Sequence, residues 1–104
     1  MPGAVTVTVS WHIKPEFADA FVEALRGMFP VTRLRAGFRN IRLLRGDDAP
    51  NQFLLVEEWD RAGDFHSYAK FRVDTGDTEK LLAMTASFPQ LAIWVFDPLA
   101  AAEA

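Results

Sequence analysis

The clearest feature of the sequence is an alternation of apolar and polar residues near its start. Over residues 4–13 the apolar side chains recur at every second position, a period typical of a β-strand with one buried face. The apolar face carries Val5, Val7, Val9, Trp11 and Ile13, and the polar face carries Thr6, Thr8, Ser10 and His12. We therefore predict a first strand over residues 4–13.

A helical spacing follows this strand. Pro15 fits the first position of a helix, and the acidic Glu16 is favourable in a first helical turn. The apolar residues that follow form a single stripe, which comprises Phe17, Ala20, Phe21, Ala24, Leu25 and Met28. We predict that Pro30 interrupts this helix and that residues 29–36 form a separate short helical turn ended by Gly37.

The remaining pattern predicts three strands and two helices. In order, they are strands over 38–45 and 52–59, a helix that ends at 74–77, a helix over 78–87 and a strand over 90–96. The turn-rich segment 46–51 joins the first two of these strands into a hairpin. Phe65, Tyr68 and Ala69 share one face of the helix that follows it.

The order β-α-β-β-α-β, with an extra short helix in each crossover, indicates an α+β fold. It is the ferredoxin-like plan, a four-stranded antiparallel sheet with its helices on one face. Because the third and last strands are apolar on both faces, the face without helices also needs cover. A second copy of the chain is the economical cover, and two sheets would then close into a dimeric α+β barrel. We expect one domain over 1–104, with a core at about 4–97 and a frayed tail at 99–104.

Composition excludes several kinds of site. The sequence contains no cysteine, which rules out disulfides, thiolate nucleophiles, iron–sulfur clusters and cysteine-based zinc sites. The two histidines, His12 and His66, have no metal-ligand spacing to carboxylates, and no glycine-rich phosphate loop is present. We therefore predict neither a metal nor a cofactor.

Charge and hydropathy bear on partners and location. The net charge is −3 and the basic residues are scattered, which argues against a nucleic-acid surface. No apolar run approaches about 18 residues, and no export leader is recognisable. We expect a cytoplasmic protein that contacts neither nucleic acid nor membrane. The nine Phe and three Trp residues either fill the core or line a cavity or subunit interface.

Candidate site residues lie at the end of the third strand and on the helix after it. Trp59 either packs in the core or forms the floor of a ligand pocket, on the same strand face as Glu57. Tyr68 shares the stripe of Phe65 and is expected to face inward, where its hydroxyl needs a partner. His66 lies two residues before Tyr68, so the two point to different sides of a helix and cannot form one acid–base pair.

The polar row of the first strand is a further candidate. Thr6, Thr8 and His12 are either solvent-facing strand residues or, in a dimer with both sheet faces covered, hydrogen-bonding groups for a ligand or a polar patch inside the barrel. The sequence pattern leaves these alternatives open.

Several motifs resemble those of a known family. They are a Val-Thr-Val start, a Pro-Glu-Phe-x-x-x-Phe helix, a Leu-Val-Glu-Glu-Trp-Asp strand end followed by an aromatic helix, and a last strand rich in large apolar residues. Over about residues 4–97 the chain resembles the antibiotic biosynthesis monooxygenase family of the dimeric α+β barrel superfamily. The resemblance implies a homodimer with a hydrophobic pocket for a small aromatic ligand.

The resemblance also implies a chemistry, the oxygenation of quinols or anthrones without flavin, haem or metal. On this basis Trp59 and Tyr68 are the expected catalytic residues, and Thr6, Thr8, His12, Phe65 and His66 are expected to bind substrate. Many family members carry a histidine nine residues after the strand-end Trp, and here this position is Tyr68. This difference argues against a histidine-dependent role such as haem ligation.

Three hypotheses of function result. The first is a cofactor-independent monooxygenase acting on a hydroxylated aromatic. The second is a non-catalytic or isomerase-like member of the same superfamily that binds a small hydrophobic metabolite. The third, a purely structural dimerisation module, is disfavoured because no second domain accompanies the chain.

Overall fold

The computed structural model describes residues 3–99. Its elements are strand β1 (Val5–Ile13), a 3₁₀ turn (Pro15–Phe17), helix α1 (Ala18–Thr32), strands β2 (Phe38–Arg45) and β3 (Gln52–Trp59), helices α2 (Ala62–Asp74) and α3 (Asp77–Leu82), and strand β4 (Thr85–Val95). The strands form one antiparallel sheet in the order β2-β3-β1-β4. The ferredoxin-like α+β fold is therefore confirmed.

Strand β1 lies at the centre of the sheet because both of its edges are paired. Val5 is opposite Trp59 of β3 and Val95 of β4, so the first and last strands are neighbours. The alternation predicted for β1 is confirmed, since its apolar residues are buried while the polar ones are half-buried or exposed. Strand β3 alternates in the same way, with Phe53, Leu55, Glu57 and Trp59 buried.

The helices cover the buried face of the sheet. Phe21 and Leu25 of α1 are buried in the same core cluster as Val9 and Trp11, and Phe21 contacts Trp11 with a distance of 5.3 Å between ring centroids. Helix α2 buries Phe65, Tyr68 and Arg72, the stripe that its spacing predicts. The α3 helix adds Leu81. All of these side chains lie on one side of the sheet, which leaves the other side without helices.

Two predicted boundaries are wrong. Pro30 does not interrupt α1, which continues to Thr32. Proline removes the hydrogen bond to the carbonyl of Arg26, but both residues are exposed and water can bond that oxygen. The predicted helix over 78–87 ends at Leu82, and β4 starts at Thr85, because Thr85 and Ser87 pair with β1. Pairing to a central strand outweighs the local pattern here.

The face of the sheet without helices, which we call the open face, carries large apolar side chains. Trp94 is 56% exposed and Phe96 is 73% exposed, and Leu54 and Val56 share this face with the polar row of β1. None of the helices within residues 3–99 is long and apolar enough to cross a membrane. The predicted frayed tail lies outside the described residues except for Leu99.

Candidate functional site

A cavity of about 250 Å³ lies between the sheet and the helices. The sheet contributes Val9, Trp11 and Leu55 to its walls, and the helices contribute Phe29, Phe65 and Leu81 among others. Its walls are therefore mainly apolar and aromatic, as in pockets that bind small hydrophobic molecules. The polar exceptions among its lining residues are Glu57, Tyr68, Arg72 and Thr78.

The Tyr68 hydroxyl is held in a buried hydrogen-bond network. It lies 2.8 Å from Thr32 Oγ1 and accepts a 3.1 Å hydrogen bond from Arg72 Nε. Thr32 Oγ1 donates to the Met28 carbonyl at 3.1 Å, so the proton between the two hydroxyls belongs to Tyr68. Both the donor and an acceptor position of the Tyr68 hydroxyl are consequently occupied by protein groups.

Arg72 connects this network to helix α3. Its Nη1 atom donates to Asp77 Oδ2 at 2.7 Å, and its Nη2 atom donates to Thr32 Oγ1 and to the Met28 carbonyl at 3.1 Å and 2.8 Å. A hydrogen bond from Thr75 and the charge of Arg72 hold the pKa of Asp77 below its ordinary value. The guanidinium is thus buried with its charge and its donors matched by partners.

Glu57 is the buried carboxyl of the site. Its side chain is 3% exposed and lies between Val7 of β1 and Ile41 of β2 in the strand register. The Trp59 indole Nε1 donates to Glu57 Oε1 at 2.9 Å. Burial raises the pKa of Glu57 to about 7, against the opposing effects of the Trp59 hydrogen bond and the Arg72 charge. Sequence reasoning missed this residue, although alternation places it in the same row as Leu55 and Trp59.

Trp59 packs against residues that line the cavity but is not itself part of the lining. It is 0% exposed, and its ring contacts Tyr68 with 5.0 Å between centroids and Phe38 with 5.5 Å. A 6.4 Å distance separates it from the ring of Phe65, which lines the cavity. Trp59 therefore fixes Glu57 by a hydrogen bond and Tyr68 by packing, while its own surface is enclosed by protein.

The structure places the other predicted site residues away from this cavity. Thr6, Thr8 and His12 belong to the open face of the sheet, where Thr8 Oγ1 accepts a 2.8 Å hydrogen bond from Trp94 Nε1. His12 lies in a separate groove of about 440 Å³ on that face. His66 is exposed on α2, beside the ring of Phe65. Of the predicted residues, the structure brings together Trp59, Phe65 and Tyr68.

The cavity can bind an apolar ring and present titratable groups to it. Glu57 can exchange a proton near neutral pH, and the positive charge of Arg72 lies beside the Tyr68 hydroxyl at the cavity wall. Within residues 3–99, no three His, Asp or Glu side chains are grouped to hold a metal ion.

A comparison with protein-family models matches residues 4–72 to the model described as antibiotic biosynthesis monooxygenase. The chain belongs to this family. The match includes the strand that carries Glu57 and Trp59 and the part of α2 that carries Tyr68 and Arg72. A comparison with curated proteins finds no significant match.

Solved structures share the fold of this family member. A conserved protein from Methanosarcina mazei has a TM-score of 0.85 at 16% identity, over 91% of this chain and 94% of that one. SnoaB from Streptomyces nogalater, described as a cofactor-independent oxygenase, has a TM-score of 0.81 at 15% identity, over 91% and 94%. Rv0793 from Mycobacterium tuberculosis has a TM-score of 0.81 at 15% identity, over 90% and 95%. At these identities the likeness concerns the fold alone.

Proposed function

We propose that the protein is a cofactor-independent monooxygenase that acts on a quinol, an anthrone or a similar hydroxylated aromatic. The observation that carries the proposal is the apolar cavity with Glu57, Tyr68 and Arg72 among its lining residues. Family membership and the fold shared with SnoaB support it.

The proposed reaction requires no external reductant. For an anthrone-type carbon, a CH₂ group and O₂ give a carbonyl group and water, so the substrate itself supplies all four electrons that reduce O₂. The protein's part is to bind the substrate away from water, to help remove a proton and to stabilise the resulting anion. The positive charge of Arg72 would stabilise negative charge on the substrate oxygen, and Tyr68 and Trp59 would act through the residues that they position.

The cavity volume limits the substrate. About 250 Å³ lies below the ~300–1,000 Å³ that is usual for drug-sized ligands. A one- or two-ring phenol therefore fits the cavity better than a large polycyclic compound, and the first substrates to test are naphthoquinols.

The decisive experiment is oxygen uptake by the metal-stripped protein with naphthoquinols and anthrones. The variants are Tyr68→Phe, which removes the buried hydroxyl, and Ser67→Ala as a control at an exposed neighbouring position on α2. We expect uptake above the spontaneous rate, reduced by about 10–100-fold in Tyr68→Phe and unchanged in Ser67→Ala. Uptake at the spontaneous rate with every compound would contradict the oxygenase proposal.

A second candidate function is the non-catalytic binding of a small hydrophobic metabolite. The observation that favours it is the engagement of the Tyr68 hydroxyl by Thr32 and Arg72, which leaves that hydroxyl little capacity to exchange a proton with a ligand. Saturable heat on titration with the same compounds, together with no oxygen uptake, would support this function over catalysis.

We also propose that the protein is a cytoplasmic homodimer whose two open faces pack together. The half-buried Leu54 and Val56 and the exposed Trp94 would be buried in such a barrel, and the polar row of Thr6, Thr8 and His12 would lie inside it. Sedimentation equilibrium at micromolar concentration tests this directly. A monomer mass would contradict the barrel.

A further inference from the structure

Glu57 is the only carboxylate that is buried among residues 3–99. It lines the cavity, and its strand neighbours Val7 and Ile41 give it no polar contact from β1 or β2. A buried carboxylate without full hydrogen bonding lowers the stability of the folded protein, so the presence of Glu57 at this position needs an explanation.

Glu57 uses only part of its capacity to accept hydrogen bonds. Oε1 accepts from Trp59 Nε1 at 2.9 Å, and the carboxyl group has no second hydrogen bond within the described part of the chain. A carboxylate has about four acceptor positions on its two oxygens. Acceptor capacity at the cavity therefore remains, while the Trp59 bond holds the group in place.

Two other polar residues of the cavity, Tyr68 and Arg72, differ from Glu57 in this respect. The Tyr68 hydroxyl already donates to Thr32 and accepts from Arg72. Arg72 uses its donors on Tyr68, Thr32, Met28 and Asp77. A ligand hydroxyl that enters the cavity thus finds acceptors at Glu57 and at the Thr78 hydroxyl, and of these two only the Glu57 carboxylate is a base.

We propose that Glu57 recognises the ligand through a hydroxyl group and accepts its proton, so that the cavity selects phenols over the corresponding methyl ethers. The inference rests on the proposed function for the class of ligand. In the transfer, the phenolic O–H bond breaks, its electron pair stays on the ligand oxygen, and the proton bonds to the Glu57 carboxylate.

The electrostatics of the site support this assignment. A phenol has an ordinary pKa near 10, and burial raises the pKa of Glu57 from 4.5 to about 7, which makes proton transfer about 300-fold less unfavourable. The charged or titratable groups that face Glu57 are Tyr68 and Arg72 of α2, and Asp77 of α3 pairs with Arg72. Helix α1 contributes only the uncharged Thr32 to this cluster. The charge of Arg72 lowers the pKa of Glu57, which opposes the transfer, and it would also stabilise the phenolate that forms.

The preference for a phenol over its methyl ether can be measured as a ratio of binding affinities. A hydrogen bond to a charged group is worth roughly 10–100-fold in affinity, and a methyl ether cannot donate it. The ether would also leave the carboxylate without a partner, which is the mechanism by which polar sites reject analogues that lack a donor.

The test uses 3-nitrophenol and 3-nitroanisole, which differ in one methyl group and do not require oxygen chemistry. Binding to the wild-type protein and to Glu57→Leu, Glu57→Gln and Glu58→Gln variants is measured by calorimetry at pH 7, where 3-nitrophenol is almost entirely neutral in solution and Glu57 is partly ionised. The visible band of the nitrophenolate anion is recorded in parallel. Glu58 is the control because it is exposed on the open face of the sheet.

We expect wild type and Glu58→Gln to bind the phenol roughly 10–100-fold more tightly than the ether, and Glu57→Leu to lose this preference. Glu57→Gln keeps an acceptor oxygen, so it should retain binding but lose the increase in the anion band on binding. Equal binding of both compounds by wild type, binding of neither, or an anion band unchanged in Glu57→Gln would overturn the proposal. Selective binding in this test, together with no oxygen uptake from the naphthoquinols and anthrones, would contradict the oxygenase proposal and leave the role of Glu57 intact.

Discussion

The burial of Glu57 should make the stability of the protein fall as the pH rises. The carboxyl has a pKa of about 7 in the folded protein and an ordinary value of 4.5 when unfolded. Between these pH values the folded state binds more protons than the unfolded state, so the free energy of unfolding decreases with increasing pH. The contribution is fully present below about pH 4.5 and is lost as the pH passes through 7.

The magnitude follows from the same two values. The pKa difference for Glu57 corresponds to about 3 kcal/mol between pH 4.5 and pH 8. For a domain of this size that amounts to roughly 14 °C in melting temperature. Glu57→Gln removes the titrating group, and Glu58→Gln removes a carboxyl of the same strand that is exposed.

The assay is urea unfolding of the three proteins from pH 4.5 to pH 8 at one protein concentration, because association would otherwise change the apparent stability. The stability of Glu57→Gln relative to wild type should rise by about 3 kcal/mol across this range, whereas that of Glu58→Gln should stay nearly constant. Subtracting the curves removes the titration of the other groups. A relative change below about 1 kcal/mol for Glu57→Gln would refute the reasoning.

Three further predictions concern the scaffold and the assembly. Gly37 has a φ of 81°, and an added Cβ would meet the Asp64 side chain, so Gly37→Ala should lower the free energy of unfolding by about 2 kcal/mol. Gly27 lies on α1 with open space around it, so Gly27→Ala should raise the free energy of unfolding by about 0.5–1 kcal/mol. Urea unfolding measures both changes. Arg72→Met should cost about 3 kcal/mol by the same assay, since it removes one donor each from the Tyr68 hydroxyl, the Thr32 hydroxyl and the Met28 carbonyl, all of which are buried or partly buried near it. Trp94→Lys should convert the proposed dimer to a folded monomer, and an unchanged mass in sedimentation would contradict the open-face interface.

The fold was predictable from the sequence because the pattern is locally consistent. The period of two over residues 4–13 and the stripe of Phe21 and Leu25 each match the element that forms. The boundaries near Pro30 and Thr85 were not predictable, because they depend on solvent exposure of a helix end and on pairing with a distant strand. Neither solvent exposure nor long-range strand pairing can be read from a short stretch of sequence.

The site was predictable only in part. Alternation places Trp59 on the buried face, and helical spacing places Phe65 and Tyr68 there too. The same alternation places Thr8 on the opposite face of the sheet, so a single chain cannot bring it to this cavity. The partners of Glu57 and Arg72 depend on distances between elements, which residue spacing along the chain does not determine. The roles assigned to these residues remain predictions.

The pairing of β1 with β4 has a consequence for how the molecule folds. Val5 and Val95 are adjacent in the sheet although almost the whole described chain separates them, and Leu91 of β4 also lines the cavity. Contacts between residues so distant in sequence close large loops and slow the folding of small domains. During synthesis, the edge of β1 that pairs with β4 stays unpaired until β4 has left the ribosome. The cavity is then among the last parts of the molecule to form, and a bound ligand stabilises only the completed sheet.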